Sequence, residues 1–198
     1  MKLTDLIVAL SDPNAYNHVV DAVEVHQTHI SVVFLAGDYA YKLKKPLDLG
    51  FLDYSTLEKR RQCCMQEIVL NRRLAPSVYL GVVPIAQQGM AIRMEGPGEV
   101  IEWAVKMTRL PEAATMRERL RRDQVSVEQV ETLAVRVAAF HADAEAGPRI
   151  AVGGRFATVA RNVRENFEQS ASHVGATVSR TVFERLRHLT EAALTQHR

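Results

Sequence analysis

The chain has 198 residues, 47% of them hydrophobic and 24% charged, with 25 Lys and Arg against 23 Asp and Glu for a formal net charge of +2. This composition excludes an intrinsically disordered chain, allows one large domain or two small ones, and gives no electrostatic case for a nucleic-acid partner. The only cysteines, Cys63 and Cys64, are adjacent and cannot easily bridge, no His or Cys cluster has zinc spacing, and no apolar run is long enough for a bilayer.

Leu3 to Leu10 reads as a short helix stopped by the turn cluster Ser11-Asp12-Pro13-Asn14. The start, Met1-Lys2-Leu3-Thr4-Asp5, carries an early acid and lacks the form of a secretory signal. Together with the unbridged cysteines, this makes the expected location cytoplasmic, with no membrane partner. Three strands follow in meander order. Val23-Glu24-Val25-His26-Gln27 alternates, Val32-Val33-Phe34-Leu35 is β-branched and aromatic, and Gly37-Asp38 separates it from Tyr39 to Leu43.

Pro46 ends the third strand, and Leu47 to Tyr54 is a connecting loop. Ser55-Thr56-Leu57-Glu58 has the form of a capping box with Ser55 as the cap, so a helix is expected from there to about Leu74, before Pro76. Strand patterns recur at Val82 to Ile85, Met90 to Met94 and Val100 to Met107, with turns at Gln88-Gly89 and Glu95-Gly96-Pro97-Gly98. Beyond Leu110-Pro111 the pattern is helical: Ala113 to Arg122, Ser126 to Ala144, Phe156 to Gln169, and Ser179 to the end, with breaks at Gly147-Pro148 and Gly153-Gly154. Arg117, Arg119, Arg121 and Arg122 are interleaved with Glu118 and Asp123, which describes a solvated face rather than a phosphate groove.

Within the third strand, two-residue alternation puts Ala40 and Lys42 on one face and Tyr39, Tyr41 and Leu43 on the other. Around the following helix, Cys63, Cys64, Ile68, Leu70, Leu74 and Ala75 fall within one arc. Glu67 projects from near its centre, and Arg60 shares the arc. A carboxylate in that position needs a partner, because an unpaired buried charge is costly. A strand lysine paired with a glutamate on the next helix is how protein-kinase-like folds hold the phosphates of ATP, and Tyr39-Ala40-Tyr41-Lys42 reads as a variant of the V-A-I-K pattern.

Thr28-His29-Ile30-Ser31, the run Phe34 to Pro46, Gly50-Phe51-Leu52-Asp53-Tyr54-Ser55-Thr56-Leu57-Glu58, and Glu67 with Asn71-Arg72-Arg73-Leu74-Ala75-Pro76 together resemble the aminoglycoside-phosphotransferase-like family. The similarity is to its uncharacterised bacterial branch, often fused to a P-loop ATP-binding domain. It continues more weakly through Trp103 to Pro111 and Phe140-His141. The resemblance implies an α+β fold: a protein-kinase-like N-lobe of antiparallel sheet plus one helix over 1–107, preceded by a short helix, then a hinge and an incomplete all-helical C-lobe over 108–198. It implies ATP as cofactor, with Lys42 on the α- and β-phosphates, Glu67 orienting Lys42, and Ala40 over the adenine. Met107 and Thr108 would lie in the hinge from Lys106 to Leu110. Thr28, His29 and Ser31 would stand where the loop between the first two strands meets phosphate, although this loop contains no glycine.

Phosphoryl transfer in such a fold also needs a catalytic-loop aspartate, an asparagine soon after it, and a metal-binding aspartate. His141-Ala142-Asp143 has Pro148 where the asparagine would fall, and Asp48-Leu49-Gly50 follows the lysine strand directly, in the wrong order for a D-F-G motif. No catalytic or metal-binding residue is therefore assigned. The expectation is the ATP-binding part of a small-molecule kinase, inactive on its own, with magnesium and a hydroxylated acceptor engaged only by a longer parent. The alternative is a non-catalytic nucleotide-binding or protein-interaction module. The apolar faces carrying Leu133, Val137 and Phe140, and Leu186 and Leu189, are expected to pack on each other or on a second copy, as a homodimer.

Overall fold

The computed structural model describes residues 2–197, and the chain parts into two compact units, Met1–Val130 and Glu131–Arg198. The division expected at 107/108 lies inside the first unit. There the backbone is still tied to the sheet: the Thr108 N–H donates to Val78 O at 2.9 Å and the Arg109 N–H to Asp38 O at 2.8 Å.

The first unit is built on a six-stranded antiparallel sheet in the order β1-β2-β3-β6-β4-β5. Its strands are β1 (Val23–Gln27), β2 (Ser31–Ala36), β3 (Tyr39–Lys44), β4 (Tyr79–Gln88), β5 (Ala91–Met94) and β6 (Glu99–Thr108). The first three form the expected meander. Its second turn requires glycine: Gly37 has φ of 56°, and a Cβ there would come within 3.0 Å of the Val19 carbonyl oxygen. The mixed α+β class expected from the sequence is what the structure shows.

Alternation along β3 divides the core. Tyr41 and Leu43 point to the face covered by α1 (Leu3–Leu10), where Leu6 and Leu10 pack with Tyr16, Phe34, Ile85 and Met94. The Tyr16 hydroxyl donates to Leu10 O at 2.8 Å and so satisfies one of the carbonyls left open where that helix ends. Lys42 and Lys44 point to the opposite face, covered by α2 (Leu57–Arg72). That helix starts later than the capping-box reading places it. Thr56 is the cap, its hydroxyl accepting from the Lys59 N–H at 3.2 Å, while the Ser55 hydroxyl is drawn away to Asp53 Oδ1 at 2.6 Å.

The buried stripe of α2 is Arg60, Cys64 and Ile68, each four residues from the next. Leu70 and Leu74, placed by the sequence in the apolar arc, are exposed on its flank. Only Cys64 and Ile68 bring apolar surface to the small core with Val105, Tyr79, Val82 and Met107. At about 1.5–3 kcal/mol per fully buried aliphatic side chain, this contact alone holds the helix weakly. Ion pairs and hydrogen bonds do the rest. Arg60 Nε donates to Glu102 Oε2 at 2.7 Å, Arg72 Nε to Tyr79 O at 2.7 Å, and the Arg61 guanidinium lies 5.0 Å from the Trp103 ring centroid.

After β6 the first unit continues through α3 (Met116–Arg121) and the start of α4 (Val127–Ala142). The second unit holds the rest of α4, α5 (Pro148–Ala151), α6 (Phe156–Ser170) and α7 (Arg180–Gln196). Helices α6 and α7 are joined by Arg164, whose Nε and Nη2 donate to the two carboxylate oxygens of Glu191 at 2.8 and 2.7 Å, and by an edge-on contact of Phe167 with Phe183. Among the described residues of this unit only Ala160 and Phe183 are buried. The expectation that the apolar faces pack on one another is not met within the chain: Leu133, Leu186 and Leu189 are 49%, 51% and 54% exposed, because the α6–α7 contact uses other residues. Among the described residues no helix is long and apolar enough to cross a membrane.

Candidate functional site

On β3, the alternation that sends Lys42 toward α2 sends Lys44 the same way. Both meet Glu67. Lys42 Nζ donates to Glu67 Oε1 at 2.9 Å and Lys44 Nζ to Glu67 Oε2 at 2.7 Å. The two lysines are not equivalent: the side chain of Lys42 is 30% exposed, that of Lys44 3%, and that of Glu67 12%. The Lys44 ammonium also sits 5.0 Å from the centroid of the Tyr54 ring, a cation–π contact. Behind Glu67, Asn71 Nδ2 donates to the Glu67 backbone carbonyl at 2.8 Å.

Burial pushes the Glu67 carboxyl up, but hydrogen bonds and charge from Lys44 and Lys42 outweigh it and hold the group below the usual carboxylate range. Burial pulls the Lys44 ammonium down, yet the hydrogen bond and charge of Glu67 leave it above the ordinary lysine value. With both lysines protonated and Glu67 ionised, the three side chains sum to one positive charge. They line an open cleft of about 440 Å³ together with Leu52, Tyr54, Cys63 and Tyr79.

Of the residues singled out from sequence, Lys42 and Glu67 are brought into direct contact. Ala40 is buried on the same face as Lys42, opposite Met107 on β6, and Met107 packs against Cys64, Ile68 and Val105. Thr108 is turned to the chain before β4, its hydroxyl donating to Ser77 O at 3.1 Å. Thr28, His29 and Ser31 close the β1–β2 hairpin. There the Thr28 hydroxyl accepts from the Ser31 N–H at 3.0 Å, and His29 is exposed. None of the hairpin three lines the cleft that holds Lys42.

Ser31 is 2% exposed, and its hydroxyl has no hydrogen-bond partner among the described residues. An unsatisfied buried hydroxyl is a cost to folding, so Ser31→Ala is expected to leave stability unchanged or raise it by about 1 kcal/mol. Urea unfolding checks this, and a clear loss would mean the hydroxyl has a partner in solution.

Lys44, Tyr54 and Asn71 are the site residues that sequence reasoning did not assign. For Lys44 the signal was present, since the alternation that pairs Ala40 with Lys42 also includes Lys44. The neighbouring cysteines differ sharply. Cys64 is wholly buried, and burial pushes its thiol up to about 12, while Cys63 is half-buried and faces the cleft. A thiol reagent at mildly alkaline pH should therefore modify Cys63 in the folded protein and Cys64 only on unfolding, as mass spectrometry of the labelled peptides would show. Among the described residues no group of three or more His, Cys, Asp and Glu side chains could hold a metal.

Proteins from two strains of Mycobacterium tuberculosis and from Mycobacterium bovis, each described as uncharacterized, are similar to this chain. Each is 31% identical to it over 169 residues, covering 85% of the chain and 32% of the relative. The chain thus spans about a third of the length of the curated relatives it matches. No family model and no solved structure matches.

Proposed function

We propose that the first unit is the ATP-binding part of a small-molecule kinase of the aminoglycoside-phosphotransferase-like kind, with a protein-kinase-like N-lobe. One observation carries this reading: a strand lysine, Lys42, bonded at 2.9 Å to a helix glutamate, Glu67, in a cleft open to ligand. In protein-kinase-like folds that pair grips the nucleotide phosphates. The net positive charge of the two lysines and one carboxylate supports an anionic ligand over a neutral one. Ala40 and Met107 face each other across β3 and β6, where this reading puts the base, although both are packed and neither lines the cleft.

The chain's share of the chemistry under this reading is to hold the nucleotide. Magnesium and a hydroxylated acceptor would be engaged by a longer protein containing the aspartates that phosphoryl transfer needs. Calorimetric titration of the purified chain with ATP tests the proposal. Saturable binding is expected, weakened at least about tenfold in Lys42→Ala, the loss of a charge-assisted contact. A folded wild type that does not bind ATP removes the reading.

A further inference from the structure

We infer that Lys44 is a positioning residue of this site: it keeps one carboxylate oxygen of Glu67 as a standing counter-ion, which frees Lys42 to turn to an anionic ligand. The inference deepens the nucleotide-binding reading and rests on it for the identity of the ligand. Its own basis is the inequality of the two lysines. Lys44 makes the shorter bond to Glu67, 2.7 against 2.9 Å, and although it lines the cleft it is 3% exposed against 30% for Lys42, so it is the less accessible of the two to a ligand. Tyr54 flanks it and confines it further. Lys42 is the exposed member and the one a phosphate can approach.

The physical consequence concerns what happens when ligand arrives. If Lys42 were the sole partner of Glu67, every movement toward a phosphate would leave a buried carboxylate without a counter-charge, which is strongly unfavourable. With Lys44 in place Glu67 stays paired throughout, and Lys42 is shared or released at little cost. Among the described residues, the charged and titratable groups beside Glu67 are Lys42 and Lys44 from β3, Tyr54 from the loop before α2, Tyr79 from β4, and Cys63 and Cys64 on α2 itself; Glu102 of β6, whose charge is felt at Cys64, is taken by Arg60. Among these described residues, none besides Lys42 supplies a positive charge to Glu67 in place of Lys44.

The test follows the side-chain carboxyl carbon of Glu67 by NMR in the ligand-free protein, labelled with 13C-glutamate, against pH in wild type, Lys42→Met and Lys44→Met. In Lys42→Met, where the substituted residue is partly exposed, the midpoint is expected to stay below the ordinary glutamate range. In Lys44→Met it is expected to move above that range, because the burial of Glu67 is then opposed by a single exposed cation. A Lys42→Met midpoint that rises into or above the ordinary range overturns the assignment, and this arm decides the matter even where Lys44→Met does not fold.

ATP titrations of folded Lys44→Met between about pH 5 and pH 8 add the functional readout. Relative to wild type, whose profile carries the titration of ATP itself, affinity in the variant should rise by about tenfold as pH falls, because protonating Glu67 releases Lys42 without stranding a buried charge. A merely structural Lys44 would lower stability but leave the two profiles parallel, and parallel profiles overturn the proposal. Failure of wild type to bind ATP would remove the nucleotide reading, while the carboxyl titration would still decide the role of Lys44.

Discussion

Glu67→Ala is expected to lower the stability of the first unit by about 3–5 kcal/mol, measured by urea unfolding, with ATP binding lost at the same time. The substitution leaves the Lys44 ammonium, 3% exposed, without its counter-ion, and it removes the ion pairs that Lys42 and Lys44 make between β3 and α2. Single substitutions of the lysines should rank by burial. Lys44→Met strands Glu67 with one exposed partner and should cost a large fraction of the same amount, whereas Lys42→Met leaves the 2.7 Å pair intact and should cost about 1 kcal/mol or less. Equal costs for the two would show that the enclosure of Lys44 is not what stabilises the site.

The same pair predicts the pH dependence. Glu67 has a lowered folded pKa, so its contribution is complete above the unfolded glutamate value of about 4.3 and is lost as pH falls on through the lower folded value. Lys44 has a raised pKa, so its contribution is complete below the unfolded lysine value of about 10.4 and is lost as pH climbs through the folded one. Between these limits stability from the pair is flat. Glu67→Ala should therefore unfold with a shallower acid limb than wild type.

Glu102→Ala is expected to cost a further large sum, again about 3–5 kcal/mol, because Arg60 would be left charged and 8% exposed. In the folded protein Arg60 is engaged by Glu102 Oε2 at 2.7 Å and by Tyr54 O, which accepts from Nη1 at 2.9 Å. Glu102 Oε1 accepts the Trp103 N–H at 2.9 Å. The contrasting experiment replaces both partners: Arg60→Met with Glu102→Leu removes the charges together and should fall within about 1–2 kcal/mol of wild type. A double variant as unstable as Glu102→Ala would mean that geometry rather than uncompensated charge sets the cost. Since this pair pins α2 to β6, Glu102→Ala should also weaken ATP binding without touching the cleft.

Much of the first unit was legible in the residues. Strand β1 alternates, β2 is a β-branched and aromatic run, β3 follows a Gly37-Asp38 turn whose geometry is local, and α1 ends where its turn cluster says it must. Local reading slips at the start of α2, because Ser55 and Thr56 are both competent caps and the choice is made by Asp53, which engages the Ser55 hydroxyl. It also overstates the apolar arc of that helix: Leu70 and Leu74 satisfy the periodicity yet remain exposed, since the stripe that meets the sheet is centred on Arg60, Cys64 and Ile68.

The candidate site divides along the same line. That Glu67 needs a cation follows from its angular position on a helix, and that Lys42 shares a face with Ala40 follows from alternation on a strand, both short-range properties of the chain. Which lysine is enclosed and which is open to ligand does not follow from them. A lysine at the end of a strand is ordinarily solvated. Lys44 is enclosed only because α2 crosses its face of the sheet and Tyr54 closes beside it, contacts that form once the strand, the loop and the helix are packed together. Sequence alone sufficed to bring the pair together. The division of labour between Lys42 and Lys44 was decided by tertiary packing, because burial belongs to the assembled fold and not to any segment of it.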